Sequence, residues 1–298
     1  MLFPQPLQKG DKTALVCTAR FVDKAQLEYS IQLLKSWDLQ VVIGSSIGLK
    51  DNQFGGTDQD RALDFQQQVN DPEIKAIFIA KGGYGTARIL DRIDFQPLVK
   101  YPKWIVGYSD VTALHLKLQQ LEIASIHADM PVDFPKKSIE TLESLKRCLF
   151  KNAYTIKFHS SFESILGQCE GVLIGGNLSV LYSVLGTEDL PSFKNKILFL
   201  EDLDEYLYHI DRMVLNLKRN DILSQLSGLI VGGMTSMNDN AIPFGYSANA
   251  IIYNHVSEYK YPVAFDSPSG HLKENLAMVL GANVRLTIDN NSVEITYI

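Results

Sequence analysis

The stretch WIVGYSDVT at residues 104–112 contains the clearest candidate nucleophile in the chain. An apolar run typical of a buried strand ends in Gly-Tyr-Ser, and a helical pattern follows at once. A serine in such a strand–turn–helix, here Ser109, projects its hydroxyl from a tight bend at the carboxyl edge of a sheet. The helix N-terminus behind it, with the backbone N–H of Asp110 nearest, suits a developing oxyanion. Capping of the helix by Ser109 is the alternative, since Gly-x-Ser is frequent and the second glycine of the nucleophile-elbow motif is missing.

The segment KGGYGTAR at residues 81–88 offers a second group of backbone donors after a buried strand. Its glycines let N–H groups approach a ligand closely. The spacing matches neither a Walker loop nor G-x-G-x-x-G, so a phosphate site here would be of another kind. The segment could equally form a tight turn without a ligand. It could also supply a second oxyanion donor beside Ser109, because both segments follow strands at one edge of the sheet.

A serine nucleophile needs a base and an acid that orients this base. Of the six histidines, His271 ends the loop FDSPSGH after a short apolar strand, where catalytic groups are often presented. We expect His115, about one turn into the helix behind Ser109, to pack or to face solvent. His159 and His255 lie in polar stretches and are expected to be exposed.

Glu201 closes the apolar run ILFLE and is the carboxylate that a strand would hold most rigidly. The alternative is that Glu201 and the acidic residues after it form a solvated cluster. No spacing of His, Asp and Glu is typical of a metal site, because H-E-x-x-H is absent and His209 with Asp211 alone is a weak signal.

Short apolar runs alternate with helical patterns over the first half of the chain. This alternation predicts a parallel sheet with helices on both sides, an α/β domain over residues 1–132. The run AIFIA is typical of a strand buried on both faces, and Asp58 is predicted to cap the helix that it begins. Strands are predicted at 13–17, 39–43, 76–80 and 104–106, and helices at 23–37, 58–69 and 112–120.

The composition turns polar over residues 133–164, which we interpret as the crossover between two domains, with a helix near 139–150. Residues 165–298 have mostly strand patterns and predict a β-rich α+β domain. Strands are predicted at 170–174, 196–200, 228–232, 263–265, 282–288 and 292–298, and helices at 178–185 and 210–219.

The composition excludes several classes of protein. The 298 residues are 46% hydrophobic and carry 28 basic and 34 acidic side chains, and this net charge of -6 argues against a general nucleic-acid binder. No apolar run reaches the roughly 18 residues of a membrane helix, and the N-terminus lacks the basic-then-apolar order of a signal peptide. The three cysteines lie far apart, which argues against a disulfide framework. We therefore expect a cytoplasmic enzyme that binds neither nucleic acid nor membrane.

The motifs together resemble those of the serine LD-carboxypeptidase family, which includes muramoyl-tetrapeptide carboxypeptidases and microcin C immunity peptidases. The resemblance runs nearly from end to end, and the order of the motifs makes it specific although each alone is weak. The segments that carry it are PLxxGD at 6–11, FGGT at 54–57, GGYGxxR at 82–88, GYSDxTA at 107–113, GGNL at 175–178, LEDxxE at 200–205, IDR at 210–212 and GH at 270–271.

This resemblance implies a flavodoxin-like, class I amidotransferase-like N-terminal domain that carries Ser109, and a C-terminal domain that supplies Glu201 and His271. These three residues would form a catalytic triad in the cleft between the domains, with the N–H groups of Gly83 and Asp110 as the oxyanion hole. The resemblance implies a carboxypeptidase that removes the C-terminal D-alanine of murein tetrapeptides during cell-wall recycling. It also implies that no metal or organic cofactor is needed and that the enzyme is a homodimer.

A substrate with a free C-terminal carboxylate needs a cation in the site. Lys81, Arg88 and Arg212 are the candidates, and Asn177 is a candidate for hydrogen bonds to substrate amides. Each of the four could instead have a purely structural place, either pairing at the surface or a position in a turn.

The chain departs from the family pattern at three places, which leaves its specificity open. Lys81 stands where arginine is common, VCTA at 16–19 replaces Ala-Pro-Ser, and SPS at 267–269 replaces a more apolar segment. Diaminopimelate and lysine are both open for the residue before D-alanine. An immunity-type peptidase that hydrolyses an aminoacyl-nucleotide is the nearer rival, and an aromatic side chain placed to stack on adenine would favour it. A non-catalytic module that binds a small anion is the more distant rival.

Overall fold

Two β-sheets organise the chain. The structure, a computed structural model, describes residues 1–151, 154–290 and 292–298. The strands are β1 Lys12–Val16, β2 Gln40–Ile43, β3 Ile74–Ile79, β4 Trp104–Gly107, β5 Ser125–His127, β6 Thr155–His159, β7 Gly167–Asn177, β8 Lys196–Leu203, β9 Gly228–Thr235, β10 Val263–Ala264, β11 Met278–Leu280, β12 Asn283–Asp289 and β13 Ser292–Tyr297. The helices are α1 Glu28–Ser36, α2 Asp58–Asn70, α3 Gln96–Lys100, α4 Thr112–Gln120, α5 Ile139–Lys151, α6 Leu178–Ser183, α7 Leu207–Arg219 and α8 Ala248–Val256. No helix in these described ranges is long and apolar enough to cross a membrane.

The first sheet has the order β11-β5-β4-β3-β1-β2, and β1 to β5 are parallel. Its central strands are buried on both faces. In β3, Phe78 belongs to one apolar cluster, whereas Ile77 and Ile79 belong to another on the opposite face. The α/β class predicted for the N-terminal part is therefore confirmed, because apolar residues in an unbroken run need helices on both sides of the sheet.

The cap of α2 differs from the prediction by one residue. Thr57, not Asp58, is the N-cap, since its hydroxyl accepts the Asp60 N–H at 3.1 Å. The Asp60 carboxylate accepts the Thr57 N–H in return at 2.9 Å, and this capping box satisfies both donors together. Asp58 is left to pair with Arg61 and Arg88.

The second sheet has the order β10-β9-β8-β7-β12-β13-β6. Strands β7 to β10 are parallel neighbours, and β12, β13 and β6 continue the sheet in antiparallel fashion. This confirms the β-rich α+β class predicted for the C-terminal part. The register of β7 with β8 sets Asn177 opposite Glu201, at the carboxyl ends of both strands.

The two sheets approach each other where β7 ends against α4. Gly176 has a φ of +144°, and a Cβ there would lie 2.6 Å from Thr112 Oγ1, so only glycine fits. The next N–H, of Asn177, donates to the same Thr112 oxygen at 2.9 Å. Because α4 follows Ser109, this close approach brings the end of the second sheet beside the serine.

The sequence patterns do not indicate β5, β6, β11, α3 or α8. Strands β5 and β11 have three residues each, too few to show a periodicity. Strand β11 nevertheless returns from the C-terminal part of the chain and pairs antiparallel with β5, Val279 opposite Ile126. The division of the chain near residues 132 and 164 stays a prediction.

Candidate active site

Ser109 lies in a sharp turn between β4 and α4. Its φ angle of +62° is in the left-handed region that residues other than glycine rarely adopt, and the surroundings must impose such a conformation. Tyr108 is the N-cap residue of the 3₁₀ turn Ser109–Val111 that precedes α4. The Ser109 hydroxyl does not serve as this cap, and it lies 3.1 Å from Nε2 of His271.

Gly107 and the buried His115 stabilise this turn. A Cβ at Gly107 would lie 2.8 Å from a methyl group of Val111, so the turn closes only on glycine. The Gly107 carbonyl accepts the Nε2–H of His115 at 2.8 Å, and Nδ1 of the same ring lies 2.8 Å from the Ser125 hydroxyl. Burial lowers the pKa of His115 to about 4, so this ring is neutral. Of the two places expected for His115, packing is therefore the one observed.

The Asp110 side chain fastens the glycine-rich segment to the serine turn. Its buried carboxylate accepts the Thr86 N–H at 2.9 Å. Burial raises the pKa of Asp110, whereas hydrogen bonds from Thr86 and Gly85 lower it, and the net pKa lies above the ordinary value. A Cβ on Gly82 would lie 3.4 Å from the Ser109 Cβ, which shows how closely the two segments approach.

Two backbone donors lie beside the serine. Within the described residues, the N–H groups of Gly83 and Asp110 donate no hydrogen bond. Both residues line the same cavity as Ser109. Gly83 has a φ of +105°, and a Cβ there would lie 2.5 Å from Cδ of Arg20, so the loop again requires glycine. Free N–H groups in this position suit a negatively charged oxygen.

Glu201 and His271 complete a chain of hydrogen bonds to Ser109. Glu201 lies at the end of β8 with no exposed surface. Its Oε2 lies 2.6 Å from Nδ1 of His271 and accepts the backbone N–H of the same residue at 3.1 Å. Gly270 allows this approach, because a Cβ there would lie 2.7 Å from the Glu201 Cβ. The carboxylate thus makes Nδ1 the protonated nitrogen of the neutral ring and leaves Nε2 to face the serine.

The charges around His271 decide its proton affinity. Burial and the nearby Lys137 charge lower the pKa of His271, but the hydrogen bond and charge of Glu201, with the charge of Asp202, outweigh them, so the pKa lies above the ordinary 6.5. Burial and the Glu201 charge raise the pKa of Asp202 to about 7. The imidazolium form of His271 is therefore well stabilised, as a general base requires.

Ser109 and His271 line a cavity of about 570 Å³. Its charged lining is of both signs, which suits a ligand that carries both carboxylate and ammonium groups. The basic residues are Arg20 and Lys81, and the acidic residues are Asp110, Asp133, Asp202 and Asp204.

Two of the four predicted substrate-binding residues lie at this cavity. Lys81 and Asn177 both line it. The Asn177 side chain is already engaged, because its Oδ1 accepts the Val180 N–H at 3.1 Å and its Nδ2 donates to Asp202 at 3.0 Å. Asn177 therefore caps α6, and Lys81 keeps the role of a possible carboxylate partner.

The remaining two predicted substrate-binding residues do not line the cavity. Arg88 donates two hydrogen bonds to the carboxylate of Asp58, at 3.0 and 2.7 Å. The Arg212 guanidinium lies over the ring of Tyr208, 5.3 Å from its centroid. Both arginines thus lie outside the lining of this cavity and have partners within the folded chain, and their role in substrate binding stays a prediction.

Sequence reasoning missed Arg20. This residue lies four positions after the end of β1, and its side chain packs against Gly83 and lines the cavity. A signal was present, since the carboxyl ends of parallel strands meet at one edge of a sheet and Arg20 lies in the loop that follows β1.

In the described part of the chain, none of the other histidines is hydrogen-bonded to Ser109 Oγ. His159 is exposed as expected, but the expectation for His255 is wrong, since its Nε2 lies 2.8 Å from Asp211 of α7 and the side chain is 16% exposed. His209 pairs with Glu205 at 2.5 Å. Across residues 1–151, 154–290 and 292–298, no group of three or more His, Cys, Asp or Glu side chains is arranged to hold a metal ion.

Known proteins share this fold over nearly the whole chain. Residues 13–128 match the LD-carboxypeptidase N-terminal domain, and residues 170–286 match the LD-carboxypeptidase C-terminal domain. A probable murein peptide carboxypeptidase of Bacillus subtilis is 31% identical over 293 residues, which cover 95% of this chain and 91% of that protein. The microcin C7 self-immunity protein of Escherichia coli is 25% identical over 342 residues, 99% of this chain and 96% of that protein.

The crystal structure of a muramoyltetrapeptide carboxypeptidase from Oxalobacter formigenes superposes with a TM-score of 0.88. It is 26% identical, and the match covers 96% of this chain and 98% of that one. The domain matches and the level of identity agree with the resemblance that the motifs indicate. The chain therefore belongs to the serine LD-carboxypeptidase family, and it is a peptidase.

Proposed function

We propose that this peptidase removes the C-terminal D-alanine from murein tetrapeptides with a Ser109–His271–Glu201 triad. The observation that carries the proposal is the continuous pair of contacts, 3.1 Å from Ser109 Oγ to His271 Nε2 and 2.6 Å from His271 Nδ1 to Glu201. A hydroxyl, an imidazole and a buried carboxylate in this order form the arrangement of serine hydrolases.

In the proposed reaction, Ser109 Oγ attacks the carbonyl carbon before D-alanine while His271 Nε2 takes its proton. The resulting oxyanion accepts hydrogen bonds from the N–H groups of Gly83 and Asp110, each worth about 3 kcal/mol in related sites. His271 then gives the proton to the leaving nitrogen, the C–N bond breaks, and D-alanine departs. Water hydrolyses the acyl-enzyme with the same base, which frees Ser109. Glu201 orients the imidazole and stabilises its charged form throughout.

The charges of the cavity support a substrate that ends in a carboxylate. Arg20 and Lys81 are its two basic side chains, and guanidinium is the better partner for a carboxylate because it forms two parallel hydrogen bonds. We assign the substrate carboxylate to Arg20.

Replacing Arg20 with methionine should raise KM for the tetrapeptide by roughly 10- to 100-fold, the loss of one charged hydrogen-bonding group. We expect kcat to change little, because methionine keeps the packing of the side chain over Gly83. Steady-state kinetics of D-alanine release measures both constants. Arg92→Met removes an exposed arginine whose contact is Gln59, and it should behave like the unmodified enzyme. A fall in kcat at constant KM would contradict the role of Arg20.

The aminoacyl-nucleotide alternative lacks a clear reader for the base. Among the described residues that line the cavity, Tyr108 is the one phenylalanine, tyrosine or tryptophan, and it is 6% exposed. Its ring lies against His271, with 4.8 Å between the centroids. Little of its surface is left for a stacked base, so the peptide substrate is favoured.

A panel of substrates tests the proposal. The enzyme is incubated with a murein tetrapeptide ending in D-alanine, with the same peptide ending in L-alanine, and with an aminoacyl sulfamoyl adenosine. Products are identified by mass spectrometry. Release of D-alanine from the first peptide alone is the expected result, and cleavage of only the nucleotide would favour the immunity-type reaction. Versions with diaminopimelate or lysine at the third position identify the preferred residue there.

The pH dependence follows from the state of His271. This base must be neutral to accept the serine proton, and its pKa lies above 6.5. We therefore expect kcat/KM to fall as the pH drops, along an acid limb with an apparent pKa above 6.5. The measurement is kcat/KM for D-alanine release across the neutral range, and a limb clearly below 6.5 would contradict the pairing with Glu201. Homodimer formation and a cytoplasmic location stay predictions.

A further inference from the structure

The loop of residues 270–275 carries His271 and is held from both halves of the chain. From its own half, Glu201 accepts the His271 N–H and the Thr235 hydroxyl donates to the His271 carbonyl at 3.0 Å. The Leu272 N–H donates to the Gly270 carbonyl at 2.8 Å, which closes a three-residue turn around His271. A displacement of either neighbouring peptide group therefore moves the imidazole.

A lysine from the other half holds the second peptide of this turn. Lys137 follows the 3₁₀ turn Pro131–Lys136, just before α5. Its Nζ donates to the Leu272 carbonyl at 2.8 Å and lies 3.0 Å from Oδ1 of Asp129. The two charged side chains are 10% and 1% exposed, so this contact is almost completely shielded from water.

Asp129 holds the Lys137 ammonium in place through their ion pair. It lies two residues after β5, and Ser109 lies two residues after the neighbouring strand β4, so both follow adjacent strands of the first sheet. Burial raises the pKa of Asp129, whereas the charge and hydrogen bond of Lys137 lower it, and the net pKa is about 6. An ammonium held on one side by a carboxylate has its other donors free for a carbonyl.

The beginning of α5 contacts the same loop. Ser138 and Thr141 donate to the carboxylate of Glu274, which lies at the N-terminus of the helix. Thr141 Oγ1 also accepts the Asn275 N–H at 3.3 Å. These contacts hold the far end of the loop, whereas Lys137 contacts the residue next to His271.

We propose that Lys137 is a positioning residue: its ammonium, fixed by Asp129, holds the Leu272 carbonyl and thereby keeps His271 Nε2 within reach of Ser109 Oγ. This role rests on the proposed triad. Ser109 follows a strand of the first sheet, whereas His271 lies 162 residues later, in the loop that leads from β10 of the second sheet to β11 of the first. Their distance therefore depends on contacts between the two halves. A shift of about 1 Å in such a pair lowers the rate by as much as 100-fold.

Lys137→Met removes the donor and leaves the aliphatic part of the side chain. We expect the rate at which a fluorophosphonate modifies Ser109, measured by intact mass, to fall by roughly 10- to 100-fold. For D-alanine release, kcat should fall by a similar factor with KM nearly unchanged. Lys137→Arg keeps a donor and a charge and should recover most of the rate. Lys273→Met removes an exposed lysine from the same loop and is the matched control, with both rates unchanged.

The double variant Asp129→Asn with Lys137→Met separates positioning from charge balance. The single Lys137→Met variant leaves a buried carboxylate unpaired and should lower the melting temperature, and the second substitution relieves that penalty. We expect the double variant to regain thermal stability while Ser109 still reacts slowly. Recovery of both stability and reactivity would overturn the proposal, as would an unchanged rate in Lys137→Met. Failure of Ser109 to react in the unmodified enzyme, or reaction independent of His271, would instead overturn the triad and this inference with it.

Discussion

Replacing Ser109 with alanine is expected to abolish the release of D-alanine, with a loss of roughly 10⁴- to 10⁶-fold in kcat. The hydroxyl is the atom that would form the acyl bond, and at 3.1 Å from His271 Nε2 it is the group whose proton the base accepts. At about 1.4 kcal/mol per factor of ten, this corresponds to about 5–8 kcal/mol of transition-state stabilisation. Mass-spectrometric detection of D-alanine from a murein tetrapeptide measures the effect.

The Ser109→Ala variant should fold normally. Alanine and serine both carry a Cβ, so the strain of the +62° φ angle is the same in the variant and the unmodified enzyme. Ser183→Ala is the matched control, because the Ser183 hydroxyl bonds the Val180 carbonyl on the exposed side of α6. Equal D-alanine release by Ser109→Ala and the unmodified enzyme would remove Ser109 from the mechanism and point to another nucleophile.

Glu201→Gln is expected to lower kcat by roughly 10³- to 10⁴-fold. Glutamine nearly conserves the volume of this fully buried side chain, but it removes the negative charge that stabilises the imidazolium of His271. It also presents an amide group that can donate to Nδ1 and so select the wrong tautomer. Steady-state kinetics of D-alanine release measures the loss.

The pH profile distinguishes this loss from a structural defect. Because the hydrogen bond and charge of Glu201 raise the pKa of His271, the residual activity of Glu201→Gln should have its acid limb at lower pH than the unmodified enzyme. Asp202→Asn removes the neighbouring buried carboxylate, which bonds Asn177 and Ser179 and not His271, and it should cost far less activity. Equal losses in both variants would mean that general charge near the cavity matters and that Glu201 has no special role.

The local parts of the site are predictable from sequence. The turn at Ser109 needs only a buried strand, a glycine that admits Val111, and a helix that begins at once, and all of these are encoded within nine residues. Glu201 is predictable for the same reason, since an apolar run that ends in a carboxylate holds this group at the end of a strand. The alternation of runs and helical patterns likewise predicts the parallel sheet, because burial on both faces requires continuous apolar strands.

Pairings between distant residues were decided by the tertiary structure. Arg88 and Arg20 are both arginines near glycine-rich segments. Arg88 nevertheless bonds to Asp58, whereas Arg20 lines the cavity. The partner of neither arginine can be predicted from the sequence, because it depends on which groups the fold brings within about 3 Å of one another.

The same holds for the contacts that join the two halves. The return of β11 to the first sheet and the hydrogen bond of Lys137 to Leu272 link residues 135 or more positions apart. Such links have no local pattern, since their stability comes from burial and from partners supplied by the rest of the fold. The sequence by itself therefore determined the strand ends that present Ser109 and Glu201. The packing of one sheet against the other decided the distance between Ser109 and His271, because the two residues share no local structure.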